Sequence, residues 1–220
     1  MARTEDEVKG QQAYANGTLT TPRVTKRSSL AVESIEADGY DMSRAGKRFC
    51  FSGGVVANAQ VPVVERPTTT AKYALYNGNG DGGAVYVIDL VAAVMASGTA
   101  GLGAGLLIGV TSTVQAEAVS NGTGVVLGNP SGNTVATTNA KFGNAITLAA
   151  APSWICVGSL DQAASVSIGS GIVAGPDVLR GMFIVRPRCC LGIVVLAPTG
   201  TTAKFTCDVM WHEVAETPEG

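Results

Sequence analysis

The run LVAAVMASGTAGLGAGLLIGV, Leu90 to Val110, holds 21 residues and not one charge. A membrane-spanning helix needs about 20 mainly apolar residues, so the run sets a choice between a span and a pair of very apolar strands. Its glycines decide. There are five, at positions 98, 101, 103, 105 and 109, and each costs up to about 1 kcal/mol inside a helix. Upstream, AVYVID alternates and ends on Asp89; downstream, LLIGVTSTVQAEAV keeps the same alternation. Neither flank carries the Lys/Arg cluster that orients a span. The pattern therefore predicts strands near 84–96 and 103–118 joined by the turn SGTAGLG, and no membrane segment. MARTEDEVKG leads into polar sequence, so no secretory signal is expected either.

The same rhythm runs along the chain. RFCFSG, VPVVERP and KYALYN are short β-prone runs broken by Gly, Pro or Asn. TGVVLGNPSGN, NAITLAAA, SWICVGS and ASVSIGSGIV follow, and GPDVLRG has room for one helical turn. Near the C-terminus a strand at 183–197, a PTGTT turn and a strand at 203–214 read as a terminal hairpin. In the last strand Ala203, Phe205, Cys207, Val209 and Trp211 share one face, opposite Lys204, Thr206, Asp208, Met210 and His212. About eight such strands without a long helix predict an all-β fold, an antiparallel β-sandwich of the jelly-roll kind. The expected division is an extended polar N-terminal arm over 1–48 and a sandwich body over 49–220.

Charge is unevenly spread. Charged residues are 15% of the 220, against about a quarter in ordinary soluble domains. The first 48 residues carry 15 of the 32 charged side chains. A body so poor in charge is expected to bury much of its surface against other chains. The net charge of −2 supplies no basic field for nucleic acid. Lys26-Arg27 and Lys47-Arg48 are diluted by TEDE and ESIEADGYD, which makes the arm a tether across neighbouring subunits rather than a genome binder.

Two stretches resemble a known group. PTTTAKYALYN…GGAVYVIDLVAAVMASGTAG and FIVRPRCCLGIVVLAPTGTTAKFTCDVMWHEV are similar in style to strands of jelly-roll virion proteins of tailed bacteriophages, with a charged arm before the sandwich. The resemblance implies a structural role in the particle, as a head decoration (cement) protein, a tail fibre or knob module, or a coat protein. It also implies a homotrimer contacting other capsid or tail proteins, made in the host cytoplasm and located in the virion. No catalytic residue comes with it.

The chemistry-bearing residues point the same way. The single histidine, His212, has no H-x-x-x-H partner and no G-x-S-x-G elbow to serve, so no enzyme activity is expected. Asn77, Asn79 and Asp81 alternate as in a calcium loop, but Ile88 stands where the bidentate acid belongs. The expectation is a hairpin loop without cofactor or metal, an ion at a trimer axis being the alternative. GLGAG lacks the third glycine of a dinucleotide motif and reads as a turn. Cys50, Cys156, Cys189, Cys190 and Cys207 have no metal spacing and are expected as free, mostly buried thiols. That expectation rests on Cys207 facing the neighbourhood of Ile193 across the terminal hairpin. The interface candidates are Arg23, Lys26, Arg27 and Tyr40 in the arm, with Trp211 and His212 on the last strand. A carbohydrate-binding sandwich is the remaining class; it needs exposed rings, and Trp154 and Trp211 both sit in strand-like runs.

Overall fold

The computed structural model describes residues 12–13, 19–20, 23–24, 30–31, 43, 45–53, 56–98, 103–115, 119, 126–128, 138–160, 171–179, 181–199 and 202–215. The chain forms two units, Met1–Asp41 and Met42–Gly220. In the first, β1 (Gln12–Ala13) pairs with β2 (Leu19–Thr20) and β3 (Arg23–Val24) with β4 (Leu30–Ala31), both antiparallel.

The second unit is built from β5 (Arg48–Ser52), β6 (Thr70–Tyr76), β7 (Val85–Ser97), β8 (Ala104–Val110), β9 (Val126–Gly128) and β10 (Lys141–Thr147). It continues with β11 (Ile155–Leu160), β12 (Gly171–Ala174), β13 (Ile184–Val185), β14 (Cys190–Leu196) and β15 (Lys204–Val214). One helical turn, Pro176–Leu179, falls within GPDVLRG. A five-stranded sheet runs β10-β6-β14-β8-β11, and a six-stranded sheet runs β12-β7-β15-β5-β9 with β13 also on β7. Eight strands carry the winding. Numbered one to eight along the chain, β5, β6, β7, β8, β11, β12, β14 and β15 give a sheet ordered 1-8-3-6 facing one ordered 2-7-4-5. That is the double Greek key of a jelly roll. The excursion between β8 and β11 contributes β9 and β10, one to each sheet.

Two expected hairpins, at NGNGDGG and PTGTT, are corrected by this winding, and the strands flanking SGTAGLG are split in the same way. β6 and β7, β7 and β8, and β14 and β15 each lie in opposite sheets. The strands on either side of NGNGDGG, SGTAGLG and PTGTT are therefore not hydrogen-bonded neighbours. A turn signal marks a reversal; it does not say which strand the next one will pair with. Cys207 accordingly pairs with Ala93 of β7 and not with the region of Ile193. The strand expected at 183–197 is also broken, because Arg186-Pro187-Arg188 turns between β13 and β14 with Arg188 at φ 61°.

Between the sheets lies the main core. The inward face read for β15 is there entire: Ala203, Phe205, Cys207, Val209 and Trp211 are all buried. A chain of rings ties the layers together. Tyr73 stacks on Phe142 at 5.7 Å, Phe142 on Phe51 at 5.7 Å, and Phe51 on Trp211 at 5.3 Å. Offset ring pairs of this kind add about 0.5–1.5 kcal/mol each beyond their buried area. At the end of β6, fully buried Asn77 donates from Nδ2 to the carbonyls of Ala84 and Val185, both at 2.9 Å. Its Oδ1 accepts from Asn79 N–H at 3.0 Å. The loop that resembled a cation site is held by these bonds.

A second buried cluster covers the outer side of the five-stranded sheet. Gly143, Ala74, Gly192 and Gly109 are cross-strand neighbours in one row. This row of small residues leaves a channel, and Leu148 and Trp154 fill it. A Cβ on Gly192 would stand 2.7 Å from the Trp154 ring and 3.0 Å from Leu148, and one on Gly109 would meet Pro152 at 2.9 Å. Trp154 Nε1–H donates to the Thr68 carbonyl at 2.9 Å. The Gln115 amide holds the loop from both sides, donating to Thr147 O at 3.1 Å and accepting from Ala149 N–H at 2.9 Å.

The uncharged run thus resolves into strands rather than a helix. β8 is buried on both faces, with Leu106 and Ile108 in the main core and Leu107 under the Trp154 loop. No helix among the described residues is long and apolar enough to cross a membrane.

Candidate functional site

The outer side of the six-stranded sheet is organised differently. A strand with one wet face alternates apolar and polar, yet the outward positions of β7 include Val85, Val87, Leu90, Ala92 and Val94. β7 is apolar on both faces, which is why its sequence read as a span. Cross-strand register sets Leu90 beside Met210 and Met210 beside Cys50 in one row, and Ile184 beside Val87 in another. Leu90, Val94 and Met210 are half-buried, and Val173 on β12 is 60% exposed.

The polar groups on this face are paired among themselves. The register of β7 on β15 jumps between Met210↔Leu90 and Trp211↔Ile88, leaving Asp89 as the extra residue of a β-bulge. Ile88 and Val91 point inward and are fully buried, so Asp89 and Leu90 both face out. There Asp89 Oδ1 lies 2.9 Å from His212 Nδ1 and Oδ2 lies 3.1 Å from Arg48 Nε. The Arg48 contact is a charge contact without an aligned hydrogen bond. Asp208 Oδ1 accepts from Gly53 N–H at 3.2 Å, and Thr206 Oγ1 donates to Val94 O at 3.4 Å. A carboxylate that already has its cation and donors loses less on burial than a bare one. The face is chemically ready to be covered.

Among the described residues Asp89 is the one hydrogen-bond partner of the His212 ring, and no nucleophile stands on it. Cys50 lies on the same face, but burial raises its thiol pKa, with Asp208 adding to the rise. Cys190 is pushed up to about 12 by burial. All five cysteines are free thiols, with Cys189, Cys190 and Cys207 buried and Cys156 exposed. Glu213 accepts from Thr138 Oγ1 at 2.5 Å and is half-buried; desolvation raises its carboxyl pKa, the Thr138 hydrogen bond opposing it. Among the described residues no group of three His, Cys, Asp or Glu side chains is placed to hold a metal ion.

The flank of the sandwich beside the start of β11 and β13 is also apolar. Met182 is 67% exposed, Ile155 50% and Ile184 46%. They rim a cleft of about 500 Å³, floored by Phe183 with Val85 and Val110, with Arg186 and Ser153 on its wall.

Of the expected interface residues, Trp211 is corrected: at 0% exposure it is the centre of the ring chain and has no surface to offer. It falls on the inward side because its parity is that of Phe205 and Val209. His212 is on the outer face, tied to Asp89. Arg23 belongs to β3, paired with Ala31, and Lys26, Arg27 and Tyr40 lie outside the described residues. Sequence reading missed Asp89 and Arg48, which are far apart in the chain; the bulge turns Asp89 toward His212, and the β5–β15 register sets Arg48 beside it. Comparison of the chain with protein-family models, curated proteins and solved structures finds no match.

Proposed function

We propose that this chain is a non-enzymatic structural protein of a phage particle, which assembles as a homotrimer and decorates or stabilises that particle. The observation that carries the reading is the outer face of the six-stranded sheet, apolar along β7, with Asp89 held beside Arg48 and His212 and with Asp208 and Thr206 hydrogen-bonded. A solvated monomer has no use for such a face, whereas an obligate interface resembles a core cut in half. The charge-poor body favours the same reading, and the polar arm adds contacts at high effective concentration once the body has docked. The sugar-binding reading loses its main requirement. Sugars stack on exposed rings, and every aromatic ring among the described residues is buried.

The test is native mass by light scattering after gel filtration, without detergent. A particle of about three times 22.3 kDa supports a decoration or fibre role. A megadalton shell makes the chain a coat protein, and a stable monomer at all concentrations overturns the assembly reading.

A further inference from the structure

Sheet edges present unpaired backbone groups, and proteins usually guard them with lysine, proline or a kink. The β10 edge is guarded in that way, with Lys141 exposed and Ala145 at φ 54°. β11, at the other edge of the same sheet, is not. Its sequence ICVGSL carries no charge and no proline, it pairs with β8 alone among the described residues, and Ile155, Cys156 and Ser159 are exposed. Its only irregularity is a register shift between Cys156 and Gly158.

Beside this edge lies the apolar cleft, which Ile155 itself lines. The charge on its wall is unanswered. Arg48 has Asp89 and Arg188 has Asp81, but Arg186 has no carboxylate within ion-pair distance among the described residues. We propose that the β11 edge and this cleft form a docking groove for an extended protein segment that seats an apolar side chain in the cleft and a carboxylate on Arg186. Strand addition supplies main-chain hydrogen bonds from the edge, while the cleft and the guanidinium select the side chains. A volume of about 500 Å³ falls within the range of ligand-holding clefts and takes one or two aliphatic side chains. The edge of a second copy is a poorer occupant, because the six residues of β11 bring no carboxylate to Arg186. The cleft meets the rim of the assembly face at Val85 and Ile184, but it uses none of Asp89, His212 or Met210, which lets the two readings be tested separately.

The experiment is fluorescence anisotropy of the full chain with two labelled octapeptides, one alternating valine with glutamate and one alternating valine with lysine. Wild type is expected to bind the Val–Glu peptide and to weaken about tenfold in Arg186→Glu, the loss of one charge-assisted pair. The same variant is expected to gain affinity for the Val–Lys peptide. Arg186 is exposed, so an unchanged unfolding midpoint checks that the variant is folded. A Met210→Lys variant separates this proposal from the assembly reading, because peptide binding is expected to survive it. The proposal is overturned by equal affinity for both peptides, by binding indifferent to Arg186→Glu, or by no binding at millimolar peptide. An edge already covered by a second copy gives that last result and assigns β11 to self-pairing.

Discussion

Outside the five-stranded sheet, Leu148 and Trp154 of the chain's own loop fill the channel left by Gly143, Ala74, Gly192 and Gly109. Outside the six-stranded sheet, Leu90, Met210 and Val173 stand on a comparable apolar surface that takes no such loop from the described residues. Both faces are apolar, so hydrophobicity alone does not distinguish them. Relief and polar pairing do. The first face is a groove of small residues shaped for one insert. The second is broad, with a bulge that turns Asp89 outward to Arg48 and His212. One face is completed within the chain, and the other is suited to completion by another chain.

Breaking the covered face is expected to cost the most. Trp154→Ala removes a buried ring and its bond to Thr68, a loss of about 3–5 kcal/mol in unfolding free energy by urea titration. A change below about 1 kcal/mol contradicts the role given to this loop. Gly192→Ala overpacks the channel and is expected to cost about 1–3 kcal/mol in the same assay, since the new methyl meets the Trp154 ring. Ala substitution at solvent-exposed Gly80, where an added Cβ meets nothing within 4 Å, is the control.

Much of this architecture was legible along the chain. The alternation of β15 placed five residues correctly inside, and Gly, Pro and Asn marked most of the reversals. Pairing was not legible. In a jelly roll successive strands change sheets, and each turn signal is local while the partner is set by the whole winding. The same limit hid the Trp154 seat: Gly109 and Gly192 form a slot only once β8 and β14 are side by side. It also hid the Asp89–His212 contact, which spans 123 residues and depends on a one-residue bulge.

A smaller effect separates the rim from the faces. Burial raises the Glu213 carboxyl above its ordinary 4.5, so the folded chain holds this proton more tightly than the unfolded chain. That contribution is complete below about pH 4.5 and is lost as pH rises through the raised value. Glu213→Gln is expected to flatten this part of the stability profile between about pH 4 and pH 7, read from urea midpoints. An unchanged slope contradicts the burial assigned to Glu213.

The most direct measurement places a charge on the outer face of the six-stranded sheet. Met210→Lys adds an ammonium to a half-buried outward position whose side chain points away from the core, so monomer stability is expected to stay within about 0.5 kcal/mol of wild type. Light scattering over a concentration series is expected to show wild type assembled and the variant reduced to the monomer mass. A variant that assembles as wild type does, or a wild type that is itself monomeric throughout, contradicts the claim that this face joins chains.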